Sequence, residues 1–175
     1  MGYRLFSDMT ADVSDELMAG MPTVEFVPMQ VELGGKNYTY GPEGDLTVEH
    51  FYAEQRGGKF ASTSQINPMV YRECFEKVLM AGEDVLYLCF SSGMSGTLQS
   101  ANLCAQELRE DYPERKVVVV DTLCASVGEA MLVREAARMQ QEGLSIDELA
   151  AWVEENRLKI CHWFTVDTFE HLRHG

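Results

Sequence analysis

The 175 residues carry 14 Lys plus Arg against 28 Asp plus Glu, and the net charge of -14 opposes binding to a nucleic-acid backbone or an anionic membrane. With 46% hydrophobic residues the chain can build one domain with a real core. No apolar run of about 18 residues and no basic-then-apolar start is present, so a cytoplasmic protein without a membrane-inserted segment is expected.

Residues 3–7 predict a short first strand. The stretch SDMTADVSDELMAG then offers an N-cap at Ser14 and a stop at Gly20, hence a loop and a helix. Residues 23–33 are β-prone but contain Pro28, which predicts two short strands or an edge strand, and the following GGKNYTYGPEGD predicts a surface loop. Thr47 caps a helix running to Arg56. Asn67 and Pro68 form an N-cap and N1 pair for a helix ending near Gly82, with Val70, Cys74, Val78 and Leu79 as its apolar stripe.

Strand 85–90, helix 97–109, strand 117–120 and helix 126–141 follow as a βαβα series. Ser145 and Glu148 form a capping box for a helix through Arg157. Residues 160–166 predict another strand, and 168–173 open a further helix. The continuous apolar runs VLYLCF and VVVV, alternating with helices, predict an α/β fold with a mostly parallel sheet and helices on both faces. The five cysteines are odd in number and lack a C-x-x-C pair, so buried reduced thiols are expected rather than disulfides or a metal site.

In such a sheet the loops after the strands gather at one edge, where ligands bind. Residues 7–12, 91–97 and 121–126 belong to that edge, and residues 62–67, which precede a helix, can reach it. Within SSGMSGT, Gly93 and Gly96 allow close approach, the following helix presents unpaired N–H groups, and Ser92, Ser95 and Thr97 add hydroxyls. These features suit an anion. They equally suit a turn that caps the next helix.

No lysine follows either glycine, so this is not a triphosphate-binding P-loop, and the second glycine falls one position early for a nucleophile elbow. A serine-dependent acyl hydrolase using Ser95 or Ser92 needs a histidine, and none of His50, His162, His171 and His174 is nominated by its place in the sequence. A phosphate-ligand-binding α/β domain is the other alternative.

Thr63-Ser64-Gln65 before a proline-started helix, then SSGMSGTLQSA, VVVVDTLCASVGEAMLV and FTVDTFEHL, in that order, resemble the DegV family of bacterial fatty-acid-binding proteins. SDMTADVSDEL is similar to that family's D-S-T-S-D-L opening. The resemblance implies a non-catalytic protein that holds a long-chain fatty acid without a cofactor or metal. In some members a separate fatty acid kinase then makes an acyl phosphate for phospholipid synthesis. It implies that Thr63 and Ser95 hydrogen-bond the carboxylate, with Ser64, Ser92, Gly93, Gly96, Thr97, Asp8, Thr10 and Ser126 as secondary contacts.

The family pattern departs at Ile66, where a proline is usual, at Met9, where a serine is usual, and at Cys124, where a serine is common. The resemblance also implies that residues 1–165 are an N-terminal α/β domain and 166–175 the start of a connection to a second, lipid-binding domain. Apolar surface meant for that domain would then favour a dimer of this chain.

Overall fold

The computed structural model of the chain describes residues 2–166, 169, 170 and 173. Strand β6 (Asp84–Cys89) is buried along its whole length, which is what the unbroken apolar run requires of a strand covered on both faces. It pairs in parallel with β1 (Tyr3–Asp8) and β7 (Val117–Asp121), and β1 pairs in parallel with β2 (Val24–Val27), giving the order β2-β1-β6-β7.

Successive side chains serve opposite faces. Phe6, Tyr87 and Cys89 pack with Tyr71, Phe75 and Leu79 of α2 (Pro68–Met80) and with Leu108 of α3 (Thr97–Asp111). Leu5, Leu86 and Leu88 pack with Leu132 and Val133 of α4 (Ser126–Gln141) and with Leu149 and Val153 of α5 (Ile146–Asn156). Each such fully buried side chain contributes about 1.5–3 kcal/mol of transfer free energy. The predicted helices 47–56, 68–82, 97–109, 126–141 and 145–157 all form within a turn of their expected ends. The caps at Thr47, Asn67 and Ser145 form as well, the last as a full capping box.

Pro28 divides the β-prone stretch between two sheets. Beyond it, β3 (Met29–Leu33) joins an antiparallel sheet of order β4-β3-β5 with β4 (Lys36–Tyr40) and β5 (Ala61–Thr63). The surface loop expected after Leu33 is therefore a hairpin. Gly34 and Gly35 turn it with φ of 60° and 80°, the two positive values that a tight hairpin turn demands. Val31, Leu33 and Leu46 form its buried face, against Phe51 of α1 (Val48–Arg56).

The helix expected from Ser14 to Gly20 is instead a series of turns. The Ser14 hydroxyl accepts from Leu17 N and the Ser14 carbonyl from Met18 N, but Ala19 and Met21 then bond three residues back, and the segment closes at Gly20 with φ 78°. One capped turn is nucleation without propagation.

The strand expected over 160–166 is also absent. The Tyr3 hydroxyl bonds Leu144 O at 2.9 Å, which places the α4–α5 turn beside the start of β1, and the Arg157 guanidinium bonds Asp121 O at 2.6 Å, which places the end of α5 beside the end of β7. Helices α4 and α5 thus run down and back, delivering the chain to the edge where a parallel strand finishes rather than begins. A 3-10 turn, Arg157–Lys159, follows, and Trp163 and Phe164 are exposed. Of the helix expected from 168, Glu170 and Arg173 are helical and Arg173 N bonds Phe169 O; residues 167, 168, 171, 172, 174 and 175 lie outside the described residues. All five cysteines are free, as expected; Cys89, Cys104 and Cys124 are buried and Cys74 is partly so, while Cys161 is exposed and departs from the expected burial.

Candidate functional site

Strand β1 leads to β2 on one side while β6, its other neighbour, leads to β7, so the crevice at the carboxyl ends of β1 and β6 is the switch point of the sheet. Asp8, the last residue of β1, is fully buried there. Its Oδ2 accepts from the Tyr87 hydroxyl at 2.6 Å and from Phe90 N at 3.2 Å, and its Oδ1 accepts from Thr10 N at 3.0 Å and from the Thr10 hydroxyl. The Tyr71 hydroxyl, 3.1 Å from that of Tyr87, completes the chain as a donor. Burial first, and Asp8 second, hold the Tyr87 hydroxyl well above the ordinary phenol value.

Glu129, in the first turn of α4, is likewise fully buried and faces Asp8 across Thr10. Its Oε2 is 3.1 Å from the Thr10 hydroxyl and its Oε1 3.4 Å from the Ser7 hydroxyl. Burial, reinforced by the negative charge of Asp8, pushes its carboxyl up to about 10.

The 91–97 loop is held by its neighbours. Ser91 N bonds Cys124 O, and Asp121 accepts from Ser92 N at 3.2 Å, from the Ser92 hydroxyl at 2.5 Å and from Leu123 N at 3.0 Å. Within the loop, Gly93 N, Met94 N and Ser95 N bond back to Ser91, while Thr97 N donates to the Ser95 hydroxyl at 3.2 Å. Most donors of the expected anion cradle are thus engaged in shaping it. The Ser95 hydroxyl also lies 2.9 Å from that of Thr97; with Thr97 donating, the Ser95 proton is left to point elsewhere.

The TSQ segment reaches this loop. Gln65 Nε2 donates to the Ser100 hydroxyl at 3.2 Å, and the Gln65 side-chain oxygen rests on Gly96. Ahead of it, Thr63 ends β5 with an exposed side chain and lines a cavity of about 530 Å³ between the small sheet, α1 and the 3-10 turn Met9–Ala11. Met29, Val31, Tyr40, Leu46, Phe51 and Phe60 are among its apolar walls, and Thr10, Asp12, Gln55, Ser62 and Thr63 are among its polar members.

The expected site residues divide accordingly. Thr63 and Thr10 line the cavity, whereas Ser95, Ser92, Gly93, Gly96 and Thr97 form the adjoining loop and do not line it. Ser64 is exposed beside Thr63; Asp8 is buried behind the cavity; the Ser126 hydroxyl bonds Asp12 Oδ2 at 2.6 Å. Of the departures from the family pattern, Ile66 is buried in the core and Cys124 sits beneath Arg157, so both are packed; Met9 lines the cavity. His162, expected in a strand, accepts from Ala125 N at 3.3 Å, one residue from Ser126, whose proton goes to Asp12; no serine–histidine relay forms there. His50 faces the Tyr38 hydroxyl, and His171 and His174 lie outside the described residues. Among the described residues no cluster of three His, Cys, Asp or Glu could hold a metal.

Sequence reasoning missed Glu129, Tyr87 and the aromatic walls, and it placed Asp121 at the edge without its role of holding the 91–97 loop. Glu129 had a signal: it lies three and four residues before Leu132 and Val133, on the buried stripe of α4.

The model of the DegV family, described as uncharacterised proteins, matches residues 3–175. A DegV domain-containing protein of Clostridium perfringens is 38% identical over 173 residues, covering 99% of this chain and 59% of that one. A Thermus thermophilus DegV family protein described by its fatty acid binding is 34% identical, with a TM-score of 0.74 over 90% of this chain and 54% of that one. A stearic acid-binding protein of Eubacterium ventriosum is 26% identical, with a TM-score of 0.77 over 87% of this chain and 52% of that one. The chain spans less than two thirds of the length of these relatives, and it belongs to the DegV family.

Proposed function

We propose that this chain supplies the carboxylate-binding half of a fatty-acid-binding protein. The acyl chain enters the cavity beside the small sheet, and the acid head turns toward the Thr63 and Ser95 hydroxyls. One observation carries this reading: an apolar cavity of about 530 Å³ with Thr63 on its polar side, joined to the Ser95 loop through Gln65 and Gly96. That volume lies within the usual range for small-molecule sites, about 300–1,000 Å³. Fatty-acid binding in the Thermus thermophilus and Eubacterium ventriosum proteins supports the ligand class.

Burying about 14 methylenes at about 0.8 kcal/mol each gives a gross gain of about 11 kcal/mol, against about 1.5–3 kcal/mol for each charge-assisted hydrogen bond. The tail therefore drives affinity, less the cost of association, and the head sets orientation. Among the described residues no cation lines the cavity, so in this reading uncharged donors hold the acid. Residues 166–175 start the connection to a second domain in this reading, and a fatty acid kinase is the partner that takes the exposed carboxylate.

Native mass spectrometry of this chain joined to the second domain of this reading, purified from cells, tests the proposal. A bound long-chain acid is expected, and its occupancy should fall at least tenfold in Thr63→Ala/Ser95→Ala while the circular dichroism spectrum stays the same. Full retention in that variant, or a preference for short phosphate esters, would refute it.

A further inference from the structure

Ser7 and Thr10 each own one hydroxyl proton, yet between them they face four acceptor positions. The Ser7 hydroxyl lies 3.0 Å from Leu88 O and 3.4 Å from Glu129 Oε1; that of Thr10 contacts Asp8 Oδ1 and lies 3.1 Å from Glu129 Oε2. Leu88 O has no proton to give, so Ser7 donates to it. Asp8 is the buried end of a chain in which Tyr71 donates to Tyr87 and Tyr87 to Asp8, with Phe90 N and Thr10 N adding two more donors. With donors on both of its oxygens Asp8 acts as acceptor throughout, and it accepts from the Thr10 hydroxyl as well. Both hydroxyl protons are then assigned, and Glu129 faces only oxygen lone pairs. A buried carboxylate in that position would have no donor.

We propose that Glu129 is held as a neutral carboxylic acid and acts as a positioning residue for the cavity, donating its proton to the Thr10 hydroxyl and so fixing the Glu129–Thr10–Asp8 chain and the Met9–Ala11 turn. The direction of every bond follows: Glu129 to Thr10, Thr10 to Asp8, Tyr87 to Asp8. The crevice then holds one buried charge, Asp8, with its four donors, rather than two adjacent ones. Thr10 has no remaining proton for a ligand, so a carboxylate is recognised on the Thr63 side and the Thr10 side serves as wall. This inference does not depend on which ligand fills the cavity.

Among the described residues the titratable groups facing Glu129 are Asp8 at the end of β1, Asp12 after the 3-10 turn, Cys89 of β6 and Cys124 before α4, and none is cationic. Burial and Asp8 push the same carboxyl up from 4.5 to about 10, in agreement with the proton count. The unfolded chain releases this proton near 4.5 and the folded chain retains it, so between those values folding takes up one proton and the folding constant falls tenfold per pH unit on account of Glu129.

Infrared spectroscopy of the protein carrying carboxyl-labelled glutamate should show a protonated C=O band at pH 7 that disappears in Glu129→Gln. Absence of that band in the unaltered protein overturns the proposal whether or not any variant folds. Denaturation from pH 6 to 9 should show a stability slope smaller by one proton in Glu129→Gln, whose amide retains a donor; equal slopes also overturn it. The positioning role is read from hydrogen exchange at Thr10 N, which should stay protected in Glu129→Gln and exchange at least tenfold faster in Glu129→Leu. The same exchange in both variants would show that Glu129 only fills space.

Discussion

A Cβ on Gly96 would fall 2.4 Å from Gln65 Oε1, so the Gln65 side chain can rest on the loop before α3 only because residue 96 is glycine. Gly96 has φ -74°, so alanine would suffer no backbone strain there, and the conflict is steric alone. Gly96→Ala should therefore push the flexible Gln65 side chain away and lose its bond to Ser100, at a cost of about 1 kcal/mol in stability. Adding Gln65→Ala should cost nothing further, a non-additivity that a double-mutant cycle in urea would reveal. If the proposed function holds, fatty-acid occupancy should fall in both variants, since both break the Gln65 contact that ties the TSQ segment to the Ser95 loop.

Asp121 closes the other side of that loop, accepting from Ser92 N, the Ser92 hydroxyl and Leu123 N. Hydrogen bonds to a charged group are the stronger kind, but this carboxylate is partly exposed, which weakens each. Asp121→Ala should lower stability by about 2 kcal/mol and raise hydrogen exchange at Ser92 and Leu123 before the strands open. A shift in the urea midpoint below a few tenths of a kcal/mol would show that the clamp is ornamental.

What could be read from the residues alone follows from burial. VLYLCF and VVVV belong to a sheet covered on both faces, so their apolar runs report tertiary position directly, and Ser145 with Glu148 reports a helix start through two local bonds. The small sheet has one buried face and short strands, of which KNYTY and AST are mostly polar, and its register depends on pairing across the Gly34–Gly35 turn, so KNYTY looks like loop until it meets β3. Thr63 is proposed as a ligand contact only through the family resemblance; what the structure adds is its place on the cavity wall. Its neighbours in the cavity come from α1, β3 and β4, whose convergence no local pattern encodes. The strand expected over 160–166 failed because its composition is strand-like while the direction of α5 is wrong for it.

The thiols should separate sharply. Burial pushes Cys104 and Cys124 up to about 11 and Cys89 higher still, whereas Cys161 is exposed. At pH 8 a thiol of that value is ionised to about one part in a thousand. A maleimide at pH 8 should label Cys161 first, Cys74 more slowly, and the other three only when urea unfolds the chain. Mass spectrometry of the time course checks the order. Early labelling of Cys89 would contradict the packing of β6 against α2 and α3.

Tyr71 and Tyr87 provide the last test, because their hydroxyls form a one-way chain ending on Asp8. Tyr71→Phe removes only a terminal donor and should cost less than about 1 kcal/mol. Tyr87→Phe removes a donor from the buried Asp8 carboxylate and the acceptor of the buried Tyr71 hydroxyl, so it should cost about 1–3 kcal/mol. The double variant has no orphaned Tyr71 hydroxyl and should be no less stable than Tyr87→Phe alone, which urea denaturation would establish. Burial pushes both phenols upward, so the two should be absent from the tyrosinate absorbance that the folded protein gains in alkali, and should appear only on unfolding. A full complement of seven ionising tyrosines in the folded protein would mean that the chain to Asp8 is open to water.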